Sequence, residues 1–168
     1  GRVILWESAS LRPLFTLIED QLAVESLAFS PNGHRLVTSG ADGNARVWDT
    51  TSGQLLLTLQ GHTGGITGVD YSPDSLKIAT ASIDSTARLW DAASGDELLI
   101  LSGHNSGLKT VSFYPDGKRL ATSSLDVSVR VYALDIQDLI SLARGRLTRS
   151  LTVEECQQYL HIQTCSTE

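Results

Sequence analysis

The sequence predicts an all-β protein made of about three repeats of 42 residues, each a four-stranded antiparallel sheet, with a short α-helical tail at the C-terminus. Three observations carry this. Trp6, Trp48, Trp90 and Tyr132 are separated by 42 residues each, without insertion or deletion. Asp42, Asp84 and Asp126 keep that spacing, and so do the turn segments beginning at Ser30-Pro31, Ser72-Pro73 and Tyr114-Pro115. Three residue types in one register define a repeat, and a period in this range indicates stacked supersecondary units.

Each unit divides into short runs of strand character. The first strands, Val24 to Phe29, Ile66 to Tyr71 and Leu108 to Phe113, mix β-branched, aromatic and small residues and stop at a proline-containing turn. The second strands run from Arg35 to Ser39, Lys77 to Ala81 and Arg119 to Ser123. A tight turn holding the periodic aspartate leads to the third, Ala45 to Trp48, Ala87 to Trp90 and Val129 to Tyr132. There Arg46, Arg88 and Arg130 alternate with apolar neighbours, as on a sheet with unequal faces. The fourth strands are Pro13 to Leu17, Leu55 to Leu59 and Leu98 to Leu101; they are leucine-rich, but runs of about five residues favour strand over helix.

After Tyr132 the period ends. Asp135 to about Leu147 carries Ile136, Leu139, Ile140, Ala143 and Leu147 at the spacing of an amphipathic helix. Thr152 and Glu155 form a capping-box pattern for a second helix running to about Tyr159 or Leu160, with Leu151 positioned to staple onto Cys156. The expected organisation is residues 1–133 as repeats and 134–168 as a helical tail, which either caps the sheets or offers its apolar face to a partner groove.

Composition narrows the function. Of 168 residues 41% are hydrophobic and the net charge is −6, which fits a folded domain and disfavours any general grip on nucleic-acid phosphates or acidic membranes. No apolar run approaches the roughly 18 to 20 residues of a membrane helix, and no secretory pattern opens the chain. A cytoplasmic setting follows as the expectation. The two cysteines, Cys156 and Cys165, provide no disulfide framework, and with His161 they fall short of the four ligands of a closed zinc site. His34 lies in a turn and is expected to be solvated. No phosphate-binding loop, zinc helix or nucleophile elbow is present, so no cofactor and no metal is expected.

Gly61-His62 and Gly103-His104 open units that close on Trp90-Asp91 and Tyr132-Ala133, and on these residues the chain resembles the WD-repeat β-propeller family. The resemblance implies a partial β-propeller, each repeat a blade held by a buried network of four side chains. In the second repeat these are His62, Thr80, Asp84 and Trp90; in the third His104, Thr122, Asp126 and Tyr132. The first offers Thr38, Asp42 and Trp48, with Asp20 where the histidine belongs. Indole donor, hydroxyl relay, imidazole and terminal carboxylate make a chemically coherent chain. His, Thr and Asp together also invite a hydrolytic reading, but a constellation repeating every 42 residues and ending on tryptophan is structural, because one active site has no reason to recur.

The resemblance further implies partner contacts at the third and fifth residues after the histidine and at the residue before the turn aspartate. These map to Ala23, Glu25 and Ala41, to Gly65, Thr67 and Ile83, and to Gly107, Lys109 and Leu125. Ile83 and Leu125 are apolar where a turn residue is usually polar, and they either pack on adjacent blades or form a contact patch. Propellers commonly close with about seven blades, so the repeats read as a fragment of a larger ring completed by blades from the rest of the chain. The tail wording around residues 143–161 is similar to the C-terminal ends of large bacterial WD-repeat signalling proteins, some with a STAND-type ATPase or a kinase upstream. The expected function is a non-enzymatic protein-interaction scaffold or sensor, with the regulatory part of such an enzyme as the alternative.

Overall fold

The computed structural model describes residues 1–18, 23–135 and 140. The chain divides into two compact units, Gly1–Tyr132 and Ala133–Glu168. The expected tail helices, Asp20, Cys156, His161 and Cys165 lie outside the described residues.

Thirteen strands are described. A hairpin, β1 (Arg2–Glu7) and β2 (Arg12–Ile18), comes first. Two four-stranded antiparallel sheets follow. One is β3 (Val24–Phe29), β4 (Arg35–Gly40), β5 (Ala45–Asp49) and β6 (Leu55–Leu59); the other is β7 (Ile66–Tyr71), β8 (Lys77–Ser82), β9 (Ala87–Asp91) and β10 (Glu97–Leu101). The last sheet has three strands, β11 (Leu108–Phe113), β12 (Arg119–Ser124) and β13 (Val129–Ala133). Consecutive strands are neighbours throughout, as in a meander, and β3, β7 and β11 lie side by side to join successive sheets.

Burial explains the composition of the second strands. From Leu36 to Gly40 and from Ile78 to Ser82 every residue is buried, because each sheet is covered on both faces by neighbouring sheets. Small side chains and threonine suit that narrow space. Val37, Val47, Leu59, Ile66, Ile78 and Trp90 form the main apolar cluster between the two four-stranded sheets, while Val3, Leu5, Phe15 and Leu17 pack the hairpin against Leu36 and Trp48.

The turns are fixed by side-chain acceptors. Asp49 Oδ1 accepts the backbone N–H groups of Thr51 (2.9 Å) and Ser52 (2.7 Å), and Gly53 follows at φ 70°. Asp91 does the same with Ala93 (2.8 Å) and Ser94 (2.9 Å), before Gly95 at φ 81°. These are Asx turns, and the positive φ is a position that glycine fills without strain. The aspartates following Trp48 and Trp90 therefore build the corner into the fourth strand. In the third repeat Ala133 stands in that place and supplies no carboxylate.

Register shifts recur at fixed places. Glu25, Thr67 and Lys109 are unpaired extra residues near the starts of β3, β7 and β11, and Leu14, Leu56 and Leu98 are their counterparts on the outermost strands. Bulges of this kind twist a strand locally and re-aim a side chain.

Candidate functional site

The second repeat shows how the sequence positions its surface. His62 enters just before β7, Thr80 sits in β8, Asp84 in the β8–β9 turn and Trp90 in β9. Trp90 Nε1 donates to Thr80 Oγ1 at 2.9 Å, His62 Nε2 lies 2.8 Å from the same oxygen, and His62 Nδ1 lies 2.8 Å from Asp84 Oδ2. The His62 side chain has no solvent exposure. Burial pushes its imidazole below the ordinary 6.5, against the opposing pull of Asp84. The neutral ring then has one consistent proton arrangement: Nδ1–H donates to Asp84, and the Thr80 hydroxyl donates to Nε2 while accepting from the indole.

Asp84 does more than end this chain. Its carboxylate also accepts from the Thr86 hydroxyl (2.6 Å), the Thr86 N–H (2.9 Å) and the Thr63 N–H (3.1 Å). Burial raises its pKa, but the bonds from Thr86 and His62 outweigh that effect and hold the group at about 2. One carboxylate thereby ties the segment entering β7 to the turn between β8 and β9.

The third repeat repeats part of this. His104 lies 2.8 Å from both Asp126 Oδ2 and Thr122 Oγ1, and Asp126 accepts from the Ser128 hydroxyl (2.6 Å) and the Asn105 N–H (3.0 Å). The Ser128 hydroxyl bond, ahead of the opposing desolvation and the help of His104, holds the Asp126 carboxyl far below the usual carboxylate range. Tyr132 departs from the sequence expectation. Its hydroxyl donates to the Ser102 carbonyl at 3.2 Å and takes no part in the network, because a phenol carries its donor at the far end of the ring, where an indole carries it on the side.

In the first repeat Trp48 Nε1 donates to Thr38 Oγ1 at 2.9 Å, and the Thr38 hydroxyl turns to the Arg46 carbonyl at 3.4 Å. Asp42 accepts from the Asn44 N–H and side-chain amide, each at 3.0 Å, and from Arg46 Nη2 at 2.6 Å. Burial again works against the charge, and the Arg46 bond and the Asn44 donors lower the Asp42 pKa on balance.

These networks hold the surface positions in a continuous row. Ala41 N donates to Ala23 O (3.1 Å), Ile83 N to Gly65 O (3.0 Å) and Leu125 N to Gly107 O (2.9 Å), the same bond in three repeats. Between repeats the row closes through glycine: a Cβ on Gly65 would stand 3.2 Å from the Ala41 carbonyl oxygen, and one on Gly107 only 3.0 Å from Ile83 Cα. Ala23, Ala41, Gly65, Ile83, Gly107 and Leu125 thus follow one another across three sheets. Ile83 and Leu125 are each 55% exposed. Of the bulge residues, Glu25 and Lys109 are exposed, whereas the Thr67 hydroxyl donates to the Leu108 carbonyl at 2.8 Å and joins two sheets.

Two residues escape sequence reasoning. Val127 follows Asp126 at φ 63° and is 96% exposed, in the place of Gly43 and Ser85. A β-branched residue there is unusual, and its register with a glycine is the signal that points to it. Arg46 is the other: it is in register with Arg88, which pairs with Glu97, yet it turns to Asp42.

Among the described residues no group of three or more His, Cys, Asp or Glu is arranged to hold a metal ion, and no helix is long and apolar enough to cross a membrane. Stacked antiparallel sheets, internal polar networks and a recurring row of turn positions define a repeat scaffold. The family signature described as WD domain, G-beta repeat, or WD40, matches residues 11–49, 53–91 and 95–132. The chain belongs to the WD40 family. A comparison with curated proteins gave no match. WD40 domains generally act as protein-interaction scaffolds, and their repeats are not catalytic.

Proposed function

We propose that this chain binds a protein partner through the row running from Ala23 to Leu125. One observation carries the reading: Ile83 and Leu125, both half-exposed aliphatics, stand on turns that the His62–Asp84 and His104–Asp126 pairs hold rigid. Binding to a preorganised surface avoids the entropy loss of ordering a loop. Small residues at 23, 41, 65 and 107 leave few aromatic or arginine anchors, so recognition is weak for a single site and suited to avidity.

The test is partner capture from an extract with the wild-type chain, Ile83→Asp and Leu125→Asp. Partners captured by the wild type are expected to be lost from both variants while circular dichroism and melting stay unchanged. Retention on both folded variants overturns this choice of face. The finer reading, in which the scaffold is the regulatory part of a cytoplasmic signalling enzyme, draws its support from the wording of residues 143–161 and from the acidic, cysteine-poor composition. Discovery of a phosphate-binding loop or a kinase lysine and aspartate set in the same reading frame is its test.

A further inference from the structure

We infer, resting on the binding face proposed above, that its third-repeat end seats an extended peptide in which a carboxylate adjoins aliphatic side chains. Lys109 is the source of the charge selectivity. It is exposed at the bulge of β11 and has no ion-pair partner among the described residues, whereas Arg46, Arg88 and Arg119 are each paired with a carboxylate. In a chain of net charge −6 an exposed cation with no ion-pair partner among the described residues is a local attraction and not part of a general basic field.

The apolar part of the seat is reached from Lys109 through Gly107. Gly107, two residues before Lys109 and so within about 7 Å along the chain, accepts the Leu125 amide and lies against the Ile83 backbone. Gly107 is buried against Ile83, and the exposed side chains of Ile83 and Leu125 supply the apolar contact. Val127, two residues after Leu125, is a further exposed aliphatic. At 96% exposure it contributes almost no burial to the fold, and at φ 63° it strains the turn, so the fold itself gains nothing from a valine there.

Charge complementarity fixes both the partner and the end of the row it occupies. Glu25, the register equivalent of Lys109 in the first repeat, is exposed and repels a carboxylate, and Thr67 in the second has its hydroxyl committed to Leu108. Of the three bulge positions, Glu25, Thr67 and Lys109, that of the third repeat alone carries an ammonium. A side-chain carboxylate and a chain-terminal one share this chemistry.

Fluorescence anisotropy on the 168-residue chain tests the inference with labelled decapeptides. The first probe alternates leucine and aspartate and is acetylated and amidated. The others replace aspartate by asparagine, by lysine, or by asparagine with a free C-terminal carboxylate. The aspartate peptide is expected to bind about tenfold more tightly than the amidated asparagine and lysine peptides, with Lys109→Glu removing that preference and Lys109→Arg keeping it. Tight binding of the asparagine peptide with the free terminus identifies the terminal carboxylate as the group seated, provided it too is lost in Lys109→Glu. Equal affinity for the aspartate and lysine peptides, or an unchanged preference in a folded Lys109→Glu or Lys109→Gln variant, overturns the inference. If that happens while Leu125→Asp still abolishes partner capture, the binding face stands and only the carboxylate seat falls.

Discussion

Arg46 Nη2 lies 2.6 Å from Asp42 Oδ2, so the first repeat gives its turn aspartate a guanidinium partner where the second and third set an imidazole nitrogen 2.8 Å from theirs. The difference follows from the surroundings. Arg88 has Glu97 across the strand pair, whereas the matching position on β6 is Leu55, which offers Arg46 no acid there.

Arg46→Ala is therefore expected to destabilise the chain by about 1–3 kcal/mol, since it leaves a partly buried carboxylate short of its charged donor. Urea denaturation of Arg46→Ala, Asp42→Asn and the double variant measures the coupling. A double variant no worse than either single one is the expected result; strictly additive losses would show that the two side chains do not stabilise each other.

Acid should weaken the second repeat in two stages. His62 has a folded pKa below 6.5, so the unfolded state takes up its proton first and stability declines as pH falls through about 6.5. Asp84 is held at about 2 against an ordinary 3.8, so its contribution is complete above about 4 and is lost as pH falls toward 2. Melting temperatures measured from pH 7 to pH 3 should show both declines. His62→Gln should lower the melting temperature at pH 7, by about 1–3 kcal/mol of stability, and flatten the profile between pH 6.5 and 5. A variant profile parallel to the wild type there would remove His62 as the titrating group.

The repeat and most of its internal chemistry can be read from the sequence because they depend on residue type at fixed spacing. Trp48, Trp90, Thr38, Thr80, Thr122 and the three turn aspartates are identical from unit to unit, so register alone places them. What the sequence conceals is geometry that identical residue types resolve differently. Arg46 and Arg88 share a register but not a partner. The bulges at Glu25, Thr67 and Lys109 are also hidden, because one extra residue breaks the two-residue alternation from which facing is read. Thr67 illustrates the consequence: its position suggests a surface contact, yet its hydroxyl joins neighbouring sheets.

Tyr132 marks the incomplete network of the third repeat. The buried Thr122 hydroxyl meets His104 but no indole N–H, while the phenol reaches past it to Ser102. Tyr132→Trp is expected to supply that donor and raise stability by about 1 kcal/mol. The urea midpoint is the readout. A lower midpoint would show that the Ser102 bond and the packing of the phenol outweigh the restored donor.

Val127 ties stability to binding most directly. Its backbone sits at φ 63°, where glycine is unstrained and a β-branched residue is not, and its side chain is 96% exposed. Replacing it with glycine removes the strain, while the freer unfolded glycine chain offsets part of the gain, so Val127→Gly is expected to stabilise the protein by about 0.5–1 kcal/mol. The same substitution removes an exposed aliphatic group two residues from Leu125 and should weaken capture of the partner or the aspartate–leucine peptide several-fold. Opposite movement of melting temperature and affinity is the diagnostic result. A residue kept for folding would lose stability on substitution, and one that does neither job would leave affinity unchanged.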